Sequence, residues 1–249
     1  QLVSTPLPTA QDASAEAFKG ASSGLLQILE AAKNNKSFPQ YLAIEGPIGV
    51  GKTTLAKKLA DLLNYPLLLE PVTENPFLDR FYAEGTNQAL PTQLFFLLQR
   101  AKQVQDMPGN DLLDRALVTD FMIEKDDIFA TLTLDPAELD LYRQIHNSLE
   151  LAPPRPDLVI YLQAPARILR QRVFRRGIDF EQSIHIDYLE ALADSYAGFF
   201  HYYDDAPVLI VNAAEIDFAN NEDHFNALLK HILQMEGTRQ FFNPNPTLL

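Results

Sequence analysis

Apolar residues along this chain fall into two alternating patterns. Short unbroken runs at residues 41–45, 66–69, 116–119, 157–163 and 207–211 are bounded by Gly, Pro or polar residues. They have the length and the Val, Ile and Leu content of strands buried on both faces. Between them lie longer stretches with apolar residues every three or four positions, as at Leu55, Leu59, Leu62 and Leu63, which is helical spacing. Strand and helix in alternation predict an α/β fold: a five-stranded parallel sheet flanked by helices. An extra helix is expected over residues 17–33. The chain divides into an N-terminal extension (1–38), one domain (39–236) and a C-terminal tail (237–249).

The first run leads directly into Gly46-Pro47-Ile48-Gly49-Val50-Gly51-Lys52-Thr53-Thr54, which satisfies every specified position of the phosphate-loop pattern G-x-x-x-x-G-K-[ST]. A loop poor in β-carbons wraps its N–H groups around a polyphosphate, and the helix that follows points its positive end at the charge. Lys52 is placed to reach the β- and γ-phosphates and Thr53 to hold Mg²⁺. Gly46, Gly49, Gly51, Lys52, Thr53 and Thr54 are therefore the candidate ATP contacts, and the fold is of the phosphate-loop class.

Composition narrows the picture further. At 249 residues and 47% hydrophobic, the chain can bury the core of one α/β domain. A net charge of -13 argues against a general nucleic-acid surface, so the expected partners are small nucleotides. Without cysteine there are no disulfides and no thiolate metal sites. No apolar run reaches about 18 residues and no signal-peptide pattern opens the sequence, so a cytoplasmic protein is the expectation.

Ligands on parallel sheets gather at the carboxyl ends of the strands. The second run ends in Glu70, a carboxylate able to take a proton from an acceptor hydroxyl, or simply an exposed strand end. The third ends in Asp120, the position from which phosphate-loop proteins organise Mg²⁺; Asp114, beside Arg115, is the competing candidate. After the fourth come Arg167, Arg170, Arg172, Arg175 and Arg176. Arg172 and Arg176, four apart, share a helix face and read as a lid over the triphosphate, with a solvated face as the bland alternative.

Taken together, these motifs resemble the deoxyribonucleoside kinases, over about residues 40–235. The resemblance implies transfer of the ATP γ-phosphate to the 5′-hydroxyl of a deoxynucleoside, with Mg²⁺, and Glu70 of Glu-Pro-Val as general base. It also implies that Tyr82 and Glu181 meet the sugar and that Gln93 and Arg100 meet the base. Arg172 and Arg176 would then clamp phosphate, while Asp217 and Phe218, in Glu215-Ile216-Asp217-Phe218, pack on the adenine.

The chain departs from the family pattern in two places. The acidic-arginine-serine motif after the third strand reads Asp120-Phe121-Met122, so that Lys125 supplies the charge, or else Asp114-Arg115 is the motif. The base-selecting aspartate is Asp126 in the first alignment and Asp120 in the second. Ile178 replaces the third lid arginine. The segment from Glu124 to Ala130 looks most like bacterial members that favour deoxyadenosine or deoxycytidine, and the family resemblance also implies a homodimer through helices near 92–106 and 135–149. The competing readings are a thymidylate-like nucleoside monophosphate kinase and a non-catalytic nucleotide-binding subunit. No Asn-Lys-x-Asp guanine motif occurs, which disfavours a GTPase switch.

Overall fold

In this computed structural model, which describes residues 23–34, 37–107, 116–218 and 220–244, six strands form one sheet. They are β1 (Tyr41–Glu45), β2 (Leu67–Leu68), β3 (Leu117–Thr119), β4 (Leu158–Gln163), β5 (Val208–Asn212) and β6 (Arg239–Phe242). Their spatial order is β2-β3-β1-β4-β5-β6, and every adjacent pair is parallel. Parallel neighbours need long crossovers, and helices supply them on both faces. β1 sits between β3 and β4, with Ala43 beside Thr119 and Glu45 beside Tyr161. The loop after β1 therefore opens at the middle of the sheet's carboxyl edge.

The sixth strand corrects the five-strand expectation and the reading of 237–249 as a tail. Its four residues Arg-Gln-Phe-Phe pair with β5, from Val208 beside Arg239 to Val211 beside Phe242. Arg239 donates from Nη1 to the Phe200 carbonyl at 2.7 Å, so the strand is also tied to a helix end. The run is short, lies at the sheet edge and leaves Phe241 67% exposed, so it lacks the buried apolar pattern of the other strands.

The helices are α1 (Ser23–Asn34), α2 (Lys52–Leu63), α3 (Leu78–Glu84), α4 (Ala89–Asp106), α5 (Lys125–Thr133), α6 (Pro136–Ser148), α7 (Ala166–Arg176), α8 (Ile186–Tyr202) and α9 (Glu222–Leu233). α2, α7 and α9 cover one face through Leu55, Leu59, Leu169, Leu228 and Leu229. On the other face Tyr196 and Phe200 of α8 pack on Tyr161 of β4, Tyr161 and Phe200 stacking at 4.2 Å. A third cluster joins α3, α4 and α6 through Leu78, Phe81, Leu97 and Tyr142. The helix expected at 17–33 is described from Ser23, and its Leu29 is buried in the first cluster, as a packing helix requires. Residues 1–16 lie outside the described residues.

Candidate active site

The phosphate loop has the backbone that its glycines permit. Gly49 sits at φ 82°, and a β-carbon there would lie 2.8 Å from the Leu169 carbonyl oxygen. At Gly46, φ 147°, it would lie 2.3 Å from that of Leu162. Only glycine brings the loop this close to β4 and α7. α2 begins at Lys52, so its free N–H groups face the loop's hollow. The Lys52 ammonium donates to the carbonyls of Gly46 (2.6 Å) and Pro47 (3.2 Å), and burial pushes its pKa down.

Gly49, Gly51, Lys52, Thr53 and Thr54 line a cavity of about 540 Å³ together with Arg172, Arg175, Arg176, Asp217 and Phe218. Of the residues expected at ATP, all but Gly46 line this cavity, although not as a set of free groups. Arg172 donates to the carbonyls of Val50 (3.1 Å), Ala213 (2.7 Å), Ala214 (3.2 Å) and Ile216 (3.1 Å), so it staples the loop after β5 to the phosphate loop. Arg176 forks onto Glu181, with Nε 3.0 Å from Oε2. Asp217 accepts from Asn220, at 3.0 Å from both its amide and its side chain, and Asn221 caps α9. The loop is thereby pinned at the cavity wall.

Asp120 joins the phosphate loop's helix to the segment that follows β2. Its Oδ2 accepts from the Thr53 hydroxyl at 2.6 Å and its Oδ1 from the Glu70 amide at 2.8 Å. Two hard oxygen donors side by side at the head of α2 suit Mg²⁺, which keeps several waters and borrows phosphate oxygens. Asp114 and Arg115 lie outside the described residues.

Beyond the end of β2 the charges are buried. Glu70 accepts from Arg100, Nε at 3.0 Å, and from the Lys125 ammonium at 2.5 Å. Burial alone would raise the Glu70 carboxyl, but the charges and hydrogen bonds of Arg100 and Lys125 outweigh it and hold it at about 2. Arg100 also pairs with Asp126, through its Nη1. Gln93 and Arg100, two turns apart on α4, are both buried on its inner face. Tyr82 stacks on Phe180 at 6.2 Å and meets Tyr188 edge-on at 6.3 Å. Burial raises the Tyr82 hydroxyl well above its ordinary value, and Tyr188, Glu181 and Glu70 add to the rise. Glu70, Arg100 and Asp126 are thereby joined, Tyr82 feels the charges of Glu70 and Glu181, and Gln93 shares the buried face of α4 with Arg100.

Arg100, expected at the base, also spans Glu70 and Asp126, and one contributor escaped sequence reasoning. Glu45, the last residue of β1, is 1% exposed and accepts from Gly46, Met122 and Tyr196. Its one visible signal was a charge closing an otherwise apolar strand.

A family model described as deoxynucleoside kinase matches residues 42–235. The chain belongs to this family. This deoxynucleoside kinase family member is 35% identical over 200 residues to a deoxyguanosine kinase of Bacillus subtilis (strain 168), covering 78% of this chain and 97% of the relative. It is 27% identical over 201 residues to the deoxyadenosine/deoxycytidine kinase of the same organism, covering 77% and 90%. Among solved structures it resembles the deoxyadenosine kinase from M. mycoides with bound dATP, at TM-score 0.67 and 26% identity, over 78% of this chain and 98% of that one. The same enzyme with products dCMP and a flexible dCDP gives TM-score 0.68 at 25% identity, over 78% and 99%. No helix among the described residues is long and apolar enough to cross a membrane.

Proposed function

We propose that the chain is an ATP-dependent deoxynucleoside 5′-kinase of nucleotide salvage, working in the cytoplasm. The observation that carries this reading is Asp120, which bonds Thr53 of the phosphate loop and the backbone of Glu70 at once. A donor site and a carboxylate are thereby held at neighbouring strand ends. In the reaction the 5′-oxygen of the nucleoside forms a bond to the γ-phosphorus while the bond from that phosphorus to the β,γ-bridging oxygen breaks. Glu70 receives the hydroxyl proton, and ADP leaves.

Lys52 and the loop amides hold the phosphate chain, and Arg176, once it lets go of Glu181, adds a fork to it. Arg172 orients the donor loop in which Asp217 and Phe218 face the adenine. Thr53 and Asp120 would hold Mg²⁺, whose charge lowers the cost of crowding the phosphate oxygens. Positioning and charge neutralisation do the rest. With its carboxyl held at about 2, Glu70 is ionised at neutral pH but a weak base, which fits a loose transition state in which the proton moves late.

Tyr82 and Glu181 take the sugar; Gln93, Arg100 and Asp126 take the base. Asp126 Oδ2 is buried with no hydrogen-bond partner among the described residues, an acceptor suited to a base amino group. Deoxyadenosine or deoxycytidine is the preference that the segment from Glu124 to Ala130 favours. A second reading, deoxyguanosine, is favoured by the 35% identity to a deoxyguanosine kinase, and guanine also carries an amino group. Turnover of four deoxynucleosides with ATP and Mg²⁺, reported as kcat/KM, separates these. Activity on nucleoside monophosphates alone would overturn the whole reading. Leu98 of α4 and Leu141 of α6 are exposed, which supports pairing of two copies through this face. Sedimentation showing only a 28.0 kDa species would remove the dimer.

A further inference from the structure

Glu45 closes β1 one residue before the phosphate loop turns away from the sheet. Its Oε1 accepts from the Gly46 amide at 3.0 Å and from the Tyr196 hydroxyl at 2.9 Å, and its Oε2 from the Met122 amide at 2.7 Å. All three partners are neutral donors, so the site fits the acceptor-only form of the side chain. A glutamine of the same shape would turn its NH₂ group onto one of the two backbone N–H groups. A carboxylate buried without a bonded cation is costly, yet this one stands where the donor and acceptor halves meet.

The two amides it holds belong to different parts of the machinery. Gly46 opens the loop that cradles phosphate. Met122 lies two residues after Asp120 and three before Lys125, in the segment that presents the metal-side carboxylate, the cation on Glu70 and Asp126. Hydrogen bonds to a carboxylate are short and directional, so this pair fixes one segment against the other. Tyr196 is a separate link, to α8, and bears on packing alone.

We propose that Glu45 is a positioning residue for phosphoryl transfer: by holding the Gly46 and Met122 amides on one carboxylate, it sets the phosphate loop against the segment bearing Asp120, Lys125 and Asp126. The inference rests on the kinase reading above. Its contribution falls on the transition state, where reacting atoms must align, more than on either substrate's ground-state binding.

The test compares the full chain with Glu45→Gln and Tyr196→Phe, with ATP, Mg²⁺ and the best deoxynucleoside, rates being normalised to folded protein. For Glu45→Gln the expected result is a kcat lower by about 10- to 100-fold, with both KM values within about threefold. Tyr196→Phe keeps both amide links, so it lowers Tm but keeps kcat within about threefold. Wild-type kcat in Glu45→Gln, or equal kcat losses in the two variants, overturns the proposal. If Glu45→Gln does not fold, Glu45→Asp takes its place: it keeps the charge but is one methylene too short to span both amides, and wild-type kcat in it has the same force. A wild-type chain inactive on every deoxynucleoside removes the kinase reading itself and the inference with it. An active wild type with wild-type kcat in Glu45→Gln removes only the inference.

Discussion

The proposed donor and acceptor halves of this site are built by opposite means. The donor half is an open cavity of about 540 Å³ whose floor is backbone, shaped by glycines and the first turn of α2. The acceptor half is a closed cluster of side chains, Glu70, Arg100, Lys125 and Asp126, none of them more than 10% exposed at the side chain. A backbone cradle tolerates loss of one side chain without loss of fold, because its hydrogen-bonding groups stay in place. A buried charge cluster does not, because removing one member leaves its partners desolvated and unpaired. Function and stability are therefore separable on the donor side and joined on the acceptor side.

Glu70→Gln tests the joined side and carries the largest expected effect. Turnover should fall by about 10²- to 10⁴-fold with little change in nucleoside KM. Stability should fall by about 3 kcal/mol, because Arg100 and Lys125 lose the carboxylate between them. Urea unfolding beside steady-state kinetics reads both, and unchanged stability would break the contrast. Lys52→Ala tests the separable side. Among the described residues the ammonium's hydrogen bonds go to its own loop's carbonyls, so turnover should fall by about 10²- to 10³-fold while Tm stays within about 2 °C of the wild type. A large fall in Tm would show that the cradle depends on the lysine.

The same division decided what could be read without coordinates. The phosphate loop is nine contiguous residues, so its spacing alone identified it, and the apolar runs located five of the six strands to within a residue or two at each end. The acceptor cluster draws Glu70 from beyond β2, Arg100 from α4 and Lys125 and Asp126 from α5. No local pattern joins these, and only resemblance to the family brought them into one list. The geometry adds what no pattern showed: the Arg100 guanidinium bridges Glu70 and Asp126, and Arg172 is occupied with four carbonyl oxygens rather than left free over the cavity. β6 was illegible because an edge strand half open to solvent has no buried face to mark it.

Two aspartates near β3 sharpen the comparison further, since one faces each half. Asp120→Asn keeps the shape but weakens the link to Thr53, so turnover should drop by about 10²-fold with every nucleoside, and more Mg²⁺ should be needed for half-maximal rate. Asp126→Asn should instead alter the ratio of kcat/KM among bases by about 10-fold, because an amide can no longer act only as acceptor. A uniform loss in Asp126→Asn and a base-dependent one in Asp120→Asn would exchange the two roles.

Acid should dissolve the contrast in stability before it touches the donor cradle. The Glu70 carboxyl lies below its ordinary value of 4.5, at about 2, in the folded chain. Such a group stabilises fully above 4.5, and that contribution fades as pH falls from 4.5 toward 2. The stability gap between wild type and Glu70→Gln should accordingly be full at pH 7 and narrow progressively below pH 4.5. A gap that widens on acidification would mean that the cations beside Glu70 do not set its ionisation.

The smallest expected effect lies at the edge of the acceptor region, where the contact is a single hydroxyl. The Tyr82 ring is held by Phe180, stacked at 6.2 Å, and by Phe81 at 5.2 Å, so Tyr82→Phe removes the oxygen and leaves the packing intact. One hydrogen bond to a neutral sugar hydroxyl contributes about 1 kcal/mol, which is about a fivefold rise in nucleoside KM. The ATP KM should not move, since the residue does not line the donor cavity. The 3′-deoxy form of the nucleoside supplies the second half of a double-mutant cycle. Losses from the variant and from the analogue that add in full would place the Tyr82 hydroxyl away from the sugar, whereas a combined loss no larger than either alone would place it there.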